Sequence, residues 1–263
     1  MSSLVHVNSK AGYNDCVMNN PGNSEKKTVL CHLSFDDSES AFSLLRESGA
    51  GSVFDSIYFR ELLRFHNIHG ASFTLYLLNK DAMDGLDSRI YRELSDNSSW
   101  LKFSYHGNDG DIGSPAFTEN YSECIRRIVS LIGKESLSDI LRVHRFNVDS
   151  RTAGFLKSNG IRILLAADDG RPVASLDEKG RAVLADAGET YSEGLAYWRT
   201  DIRLERDNWF EKYRKWRAGK SGHLVVFSHE QLVSNDTARL AALIRRLETI
   251  LENLESEYGI IYL

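Results

Sequence analysis

Two adjacent carboxylates, Asp36 and Asp37, close an apolar run within the stretch 28–40, TVLCHLSFDDSES. Neighbouring acids repel each other unless a metal, a proton or a cation lies between them. A short β-rich run that ends in charged residues reads as a buried strand delivering side chains to a sheet edge. The competing reading is a turn, because Asp-Asp-Ser is ordinary loop chemistry and can cap a following helix. The rest of the chain repeats the pattern. His106 follows WLKFSY, His144 and Arg145 lie in LRVHRF, Asp168-Asp169 follow IRILLAA, and His229 follows HLVVFS. Five such placements argue against turns alone. Carboxylates and imidazoles gathered at strand ends can hold a divalent metal and move protons beside it.

The elements that must position these residues follow from periodicity. Strands are expected within 28–37 and at 71–78, 100–105, 141–146, 161–167 and 223–228, with a strand-like GIIYL tail. Helical spacing marks 39–49, 52–67, 86–94, a segment within 114–133, 150–158 and 208–216. A long amphipathic helix is expected over 234–257, with Leu240, Leu243, Ile244, Leu247, Ile250, Leu251 and Leu254 on one face. The polar excursion 168–193 reads as a hairpin or extended arm. Strands alternating with helices predict an α/β fold of mainly parallel strands. In a barrel of parallel strands the strand C-termini share the face on which a site is built. Residues 1–27, rich in Asn, Ser and Gly, read as a polar N-terminal arm, and 28–263 as one domain.

Composition narrows the function classes. The chain has 263 residues and a net charge of −5, from 32 basic and 37 acidic side chains. That balance gives no electrostatic case for nucleic acid or an anionic membrane as partner. Cys16, Cys31 and Cys124 are widely spaced and form no CxxC pair, which suggests neither a disulfide framework nor a structural zinc site. No apolar run reaches membrane-spanning length and no secretory signal is evident, so a cytoplasmic protein is expected.

Beyond these readings, the chain resembles the polysaccharide deacetylase family from about residue 28 to its end. Ser34-Phe35-Asp36-Asp37-Ser38 stands where that family has T-F-D-D-G. His106-Gly107-Asn108-Asp109-Gly110 stands for H-S/T-x-x-H, with Gly110 in place of the second histidine. The segment His144–Val148 stands for R-x-P-x-G, with His144 or Arg145 near the arginine position, and HLVVFS-His229 stands for the last motif. The resemblance implies a deformed (β/α) barrel and metal-dependent removal of an acetyl group from an amino sugar or glycan intermediate. It implies Asp36 as general base, Asp37 as metal ligand and His229 as general acid.

Such hydrolysis needs a nucleophilic water, oxyanion stabilisation and a proton for the leaving group; a divalent metal supplies the first two, and Asp37 with His106 is an O/N pair suited to zinc. His144 is the leading third ligand, with Asp109 and Asp111 behind it. Arg145 is the cation expected to keep Asp36 ionised. Asp201 loosely matches the motif whose acid tunes the catalytic histidine. His32, His66 and His69 read as structural, and Trp198, Trp209, Tyr213 and Trp216 as core or as sugar-stacking aromatics. Two other readings stay open: a catalytically degenerate carbohydrate-binding barrel, and a hydrolase of non-sugar amides.

Overall fold

The opening apolar run forms strand β1 (Thr28–Asp36), buried at every position from Cys31 to Asp36. A computed structural model describes residues 26–108, 115–146, 148–219 and 221–263. Most of the expected arm, and Asp109, Gly110, Asp111 and Asn147, lie outside the described residues. After β1 come α1 (Ser40–Glu47), α2 (Ile57–His69), β2 (Phe73–Leu77), α3 (Ser88–Asp96), β3 (Leu101–Tyr105) and α4 (Pro115–Ile132). The chain continues with β4 (Ile140–Leu141), α5 (Ser150–Ser158), β5 (Ile163–Ala166), α6 (Glu178–Ala187), β6 (Glu189–Ser192) and β7 (Leu195–Arg199). It finishes with β8 (Ile202–Arg203), α7 (Trp209–Ala218), β9 (His223–His229), α8 (Thr237–Glu257) and β10 (Gly259–Tyr262).

The strands make an opened (β/α) barrel. One sheet runs β3-β2-β1-β9-β8, with β10 also paired to β1, and the other runs β4-β5-β7-β6. Every pairing is parallel except the β6–β7 hairpin. Parallel strands covered on both faces need near-continuous apolar sequence, and β1, β2 and β9 supply it. At one seam an isolated bridge joins Phe103 to Leu137. At the other the chain itself crosses, since the Thr200 amide bonds Ala166 of the second sheet and the next amide, Asp201, bonds Val225 of the first. A single apolar cluster spans both sheets and the α8 face from Leu240 to Leu254 anticipated from spacing.

Two local expectations fail for physical reasons. Strand 141–146 ends at Leu141, and His144–Phe146 is a 3₁₀ turn in which Arg145 and Phe146 have φ of 57° and 59°. The backbone there is recruited by β3's end instead: the His144 amide bonds the His106 carbonyl at 2.9 Å. The excursion 168–193 contains α6, capped by the Asp177 side chain on the Gly180 amide and by left-handed Gly188. The hairpin is β6–β7, turning at Glu193-Gly194, both with positive φ.

Candidate active site

Five strands deliver side chains to one rim of the barrel. β1 ends in Asp36 and is followed by Asp37, whose φ of 57° is a left-handed conformation that costs a non-glycine residue about 1–2 kcal/mol. β3 is followed by His106, β4 by Arg142 and His144, and β8 by Glu205, while β9 ends at His229. The Asp36 and His229 positions are register partners on neighbouring strands.

Asp37, His106 and His144 converge: one ligand atom from each lies within 4.8 Å of the others. Their chemistry fits a divalent metal on two further observations. The Nδ1 of His106 lies 2.6 Å from the Arg142 carbonyl. A carbonyl only accepts, so Nδ1 carries the proton and Nε2 presents its lone pair, 3.8 Å from Asp37 Oδ1. That Oδ1 is buried without a hydrogen-bond partner, whereas Oδ2 accepts from Gln231 Nε2 at 2.8 Å. A buried carboxylate oxygen left unpaired is costly, and a cation at this point would satisfy it. Burial pushes the Asp37 carboxyl up and the His106 imidazole down, each disfavouring its charged form.

Asp36 is held differently. The guanidinium beside it belongs to Arg142, fully buried, whose Nη1 donates to Asp36 Oδ1 at 2.8 Å and to Ser34 Oγ at 3.0 Å. Arg145, the expected partner, is exposed on the 3₁₀ turn three residues later. Burial opposes ionisation of Asp36, but Arg142 with His106 and His229 outweighs it and keeps the carboxyl below its ordinary value. At His229, Nδ1 donates to Glu205 Oε1 at 2.8 Å. Burial alone would lower its pKa, yet Glu205 and the two aspartates raise it, favouring the imidazolium. Asp201 does not play that part: its carboxylate accepts from the Val225 amide at 2.9 Å. Asp168 pairs with Arg203 at 2.7 Å.

No protein-family model and no curated protein matches the sequence. A solved structure from Mycobacterium smegmatis, assigned as a polysaccharide deacetylase, matches 89% of this chain and 86% of its own length at 12% identity and a TM-score of 0.51. The chain has the polysaccharide deacetylase fold. A 4-alpha-glucanotransferase from Thermococcus litoralis also matches, at 10% identity and a TM-score of 0.54, over 89% of this chain but 37% of the other. A fold shared with that activity does not by itself assign a reaction.

The buried Arg142–Asp36 pair shifts the register of one motif in the resemblance. Reading R-x-P-x-G from Arg142 puts His144 at the proline and Phe146 at the glycine. Phe146 adopts the positive φ that a glycine takes freely. The residue that stands at the arginine position is therefore Arg142, two residues before His144 and three before Arg145. Glu205 and Gln231 carry no comparable signal, since nothing in their spacing separates them from other polar residues at strand ends.

A second layer of acids lies behind Asp37. Fully buried Glu230 accepts from the Ser40 amide at 3.0 Å and leaves Oε1 unpartnered, and Glu39 accepts from the Asn79 amide at 2.9 Å. Burial pushes the Glu230 carboxyl from 4.5 up to about 7. A raised carboxyl pKa means that the folded state holds the proton more tightly. Its contribution is therefore full below 4.5 and is lost as pH rises through about 7. In chelator, Glu230→Gln should gain roughly 2–3 kcal/mol over the wild type above that range and nothing below it. Urea unfolding across pH 4–8.5 tests this, and parallel stability curves would refute it.

Proposed function

We propose that this chain is a metal-dependent hydrolase that removes an acetyl group, held as an amide or ester, from an amino sugar or glycan intermediate. The observation that carries the reading is the convergence of Asp37, His106 and His144 between two separately held proton carriers, Asp36 and His229. Asp37, His106 and His144 would hold the metal, and three protein ligands with an O/N/N set suit zinc. When bound, such a metal lowers the pKa of a coordinated water and polarises a carbonyl.

The protein's own groups supply the proton traffic. Asp36, kept ionised by Arg142, accepts the proton of the attacking water. His229 has its Nδ1–H committed to Glu205, and the charges of Glu205 and the two aspartates favour its imidazolium, so the proton on Nε2 is the one donated to the departing amine or alkoxide. The Arg142 guanidinium also lies 4.0 Å from the Phe227 ring centroid, which fixes it as a wall of the site rather than a mobile arm. The fold match to an assigned polysaccharide deacetylase supports carbohydrate as the substrate class.

Elemental mass spectrometry of purified protein tests the reading directly. Wild type should carry about one equivalent of a divalent transition metal, and Asp37→Ala, His106→Ala and His144→Ala should each lose it while staying folded. A wild type that binds no metal after reconstitution would rule out the hydrolase and leave a carbohydrate-binding barrel in its place.

A further inference from the structure

A cavity of about 650 Å³, lined by none of Asp37, His106 and His144, opens where the chain crosses from β7 to β8. Its floor is the end of β5 at Ala166 and Ala167, and its walls come from α6 and α7. The volume is that of a site for a small molecule. Charge sets it apart from the rest of the protein. The chain is net −5, yet this lining carries Arg171, Arg181, Arg199, Lys212 and Lys215 against Asp168, Asp186 and Asp201.

The pairings leave four cations, Arg181, Arg199, Lys212 and Lys215, against two acids, Asp186 and Asp201. Asp168 is taken by Arg203, which lies outside the lining, and Arg171 is taken by Asp169. Arg181 and Arg199 donate to the carbonyls of Leu176 and Ala185, which orients each guanidinium without neutralising it. Asp201 is anchored at the seam by the Val225 amide and faces the charges of Arg199 and Lys212, so one acid meets two cations. Lys215 adds a further cation from the next turn of α7. Guanidinium and ammonium groups lining one partly apolar pocket are the recognition chemistry of a phosphoryl group. Exposed Pro172 adds apolar surface to the same lining.

We propose that this cavity is a second ligand site, for a phosphorylated small molecule of sugar or nucleotide size, with the phosphoryl group held by the α6–α7 cations. It stands on its own geometry and does not depend on hydrolysis at the barrel rim. Isothermal titration of the full chain would use glucosamine 6-phosphate, uridine diphosphate, inorganic phosphate and unphosphorylated glucosamine. The titration is repeated in Asp37→Ala, so that phosphate held by a metal at the rim cannot be mistaken for this site. Saturable binding of a phosphorylated probe is expected in both proteins, at least about tenfold tighter than glucosamine. Lys212→Ala/Lys215→Ala, at half-buried and exposed positions, should weaken it by about tenfold or more, while Lys134→Ala, a lysine outside the cavity, leaves it unchanged. Preference for the sugar phosphate or for the diphosphate identifies the source of the phosphoryl group. Absence of binding by all phosphorylated probes, loss of binding in Asp37→Ala, or equal affinity in the double-lysine variant would each overturn the proposal.

Discussion

Arg142→Met is expected to destabilise the fold by about 3–5 kcal/mol at pH 7, the usual cost of stranding one member of a buried ion pair. Arg142 and Asp36 are both within the barrel, with side chains 0% and 3% exposed, and their contact is 2.8 Å. Methionine fills similar volume, so the loss is electrostatic rather than a cavity. The pH dependence follows from the same pair. In the wild type the Asp36 carboxyl is held below its ordinary value, so its stabilisation is present above the unfolded pKa and fades as pH falls through the folded one. Without the guanidinium, burial dominates and the carboxyl moves up. The variant then takes up a proton on acidification, and its deficit against wild type shrinks. Asp36→Asn/Arg142→Met should recover at least half of the loss at pH 7, because no charge is left buried alone. Urea unfolding at pH 7 and pH 4.5, in chelator, measures all three. A deficit under about 1 kcal/mol that is flat with pH would mean the pair is not the clamp described here.

How much of this was legible beforehand depends on whether the information is local. Apolar runs such as Val29–Phe35 and Leu224–Phe227 are buried strands because the chain can bury them nowhere else, and α8 shows its face in heptad-like spacing. That Asp36, Asp37, His106, His144 and His229 meet at one rim was legible because a strand end is a one-dimensional marker for a shared three-dimensional position. Arg142 was missed because a fully buried cation looks, in sequence, like the polar half of an alternating strand. Its partner is 106 residues away. The misplaced end of β4 has the same origin: His106 claims the carbonyl of Arg142 and the amide of His144, and no local propensity anticipates a long-range claim on the backbone. Glu205 reaches His229 only because β8 and β9 are parallel neighbours.

His229→Ala is expected to lower kcat for an acetylated amino-sugar substrate by about 10²–10⁴-fold, the range for removing a general acid, with metal content unchanged. The side chain is 27% exposed and is not one of the three groups that would hold the metal, so under the proposed mechanism truncation removes the proton donor and leaves the metal. Glu205→Gln separates positioning from chemistry. The carboxylate that accepts from Nδ1 also helps to raise the imidazole's pKa, so a neutral amide there lowers it. An acid that must be protonated sets the basic limb of the kcat profile, which should therefore move to lower pH in Glu205→Gln. Activity at the acidic side of that limb would be retained better than in His229→Ala, because the imidazole is still present to donate. A purely structural Glu205 would instead lower kcat by the same factor at every pH. Loss of metal in His229→Ala would place the imidazole among the ligands, and the proton for the leaving group would then have to come from elsewhere on the rim.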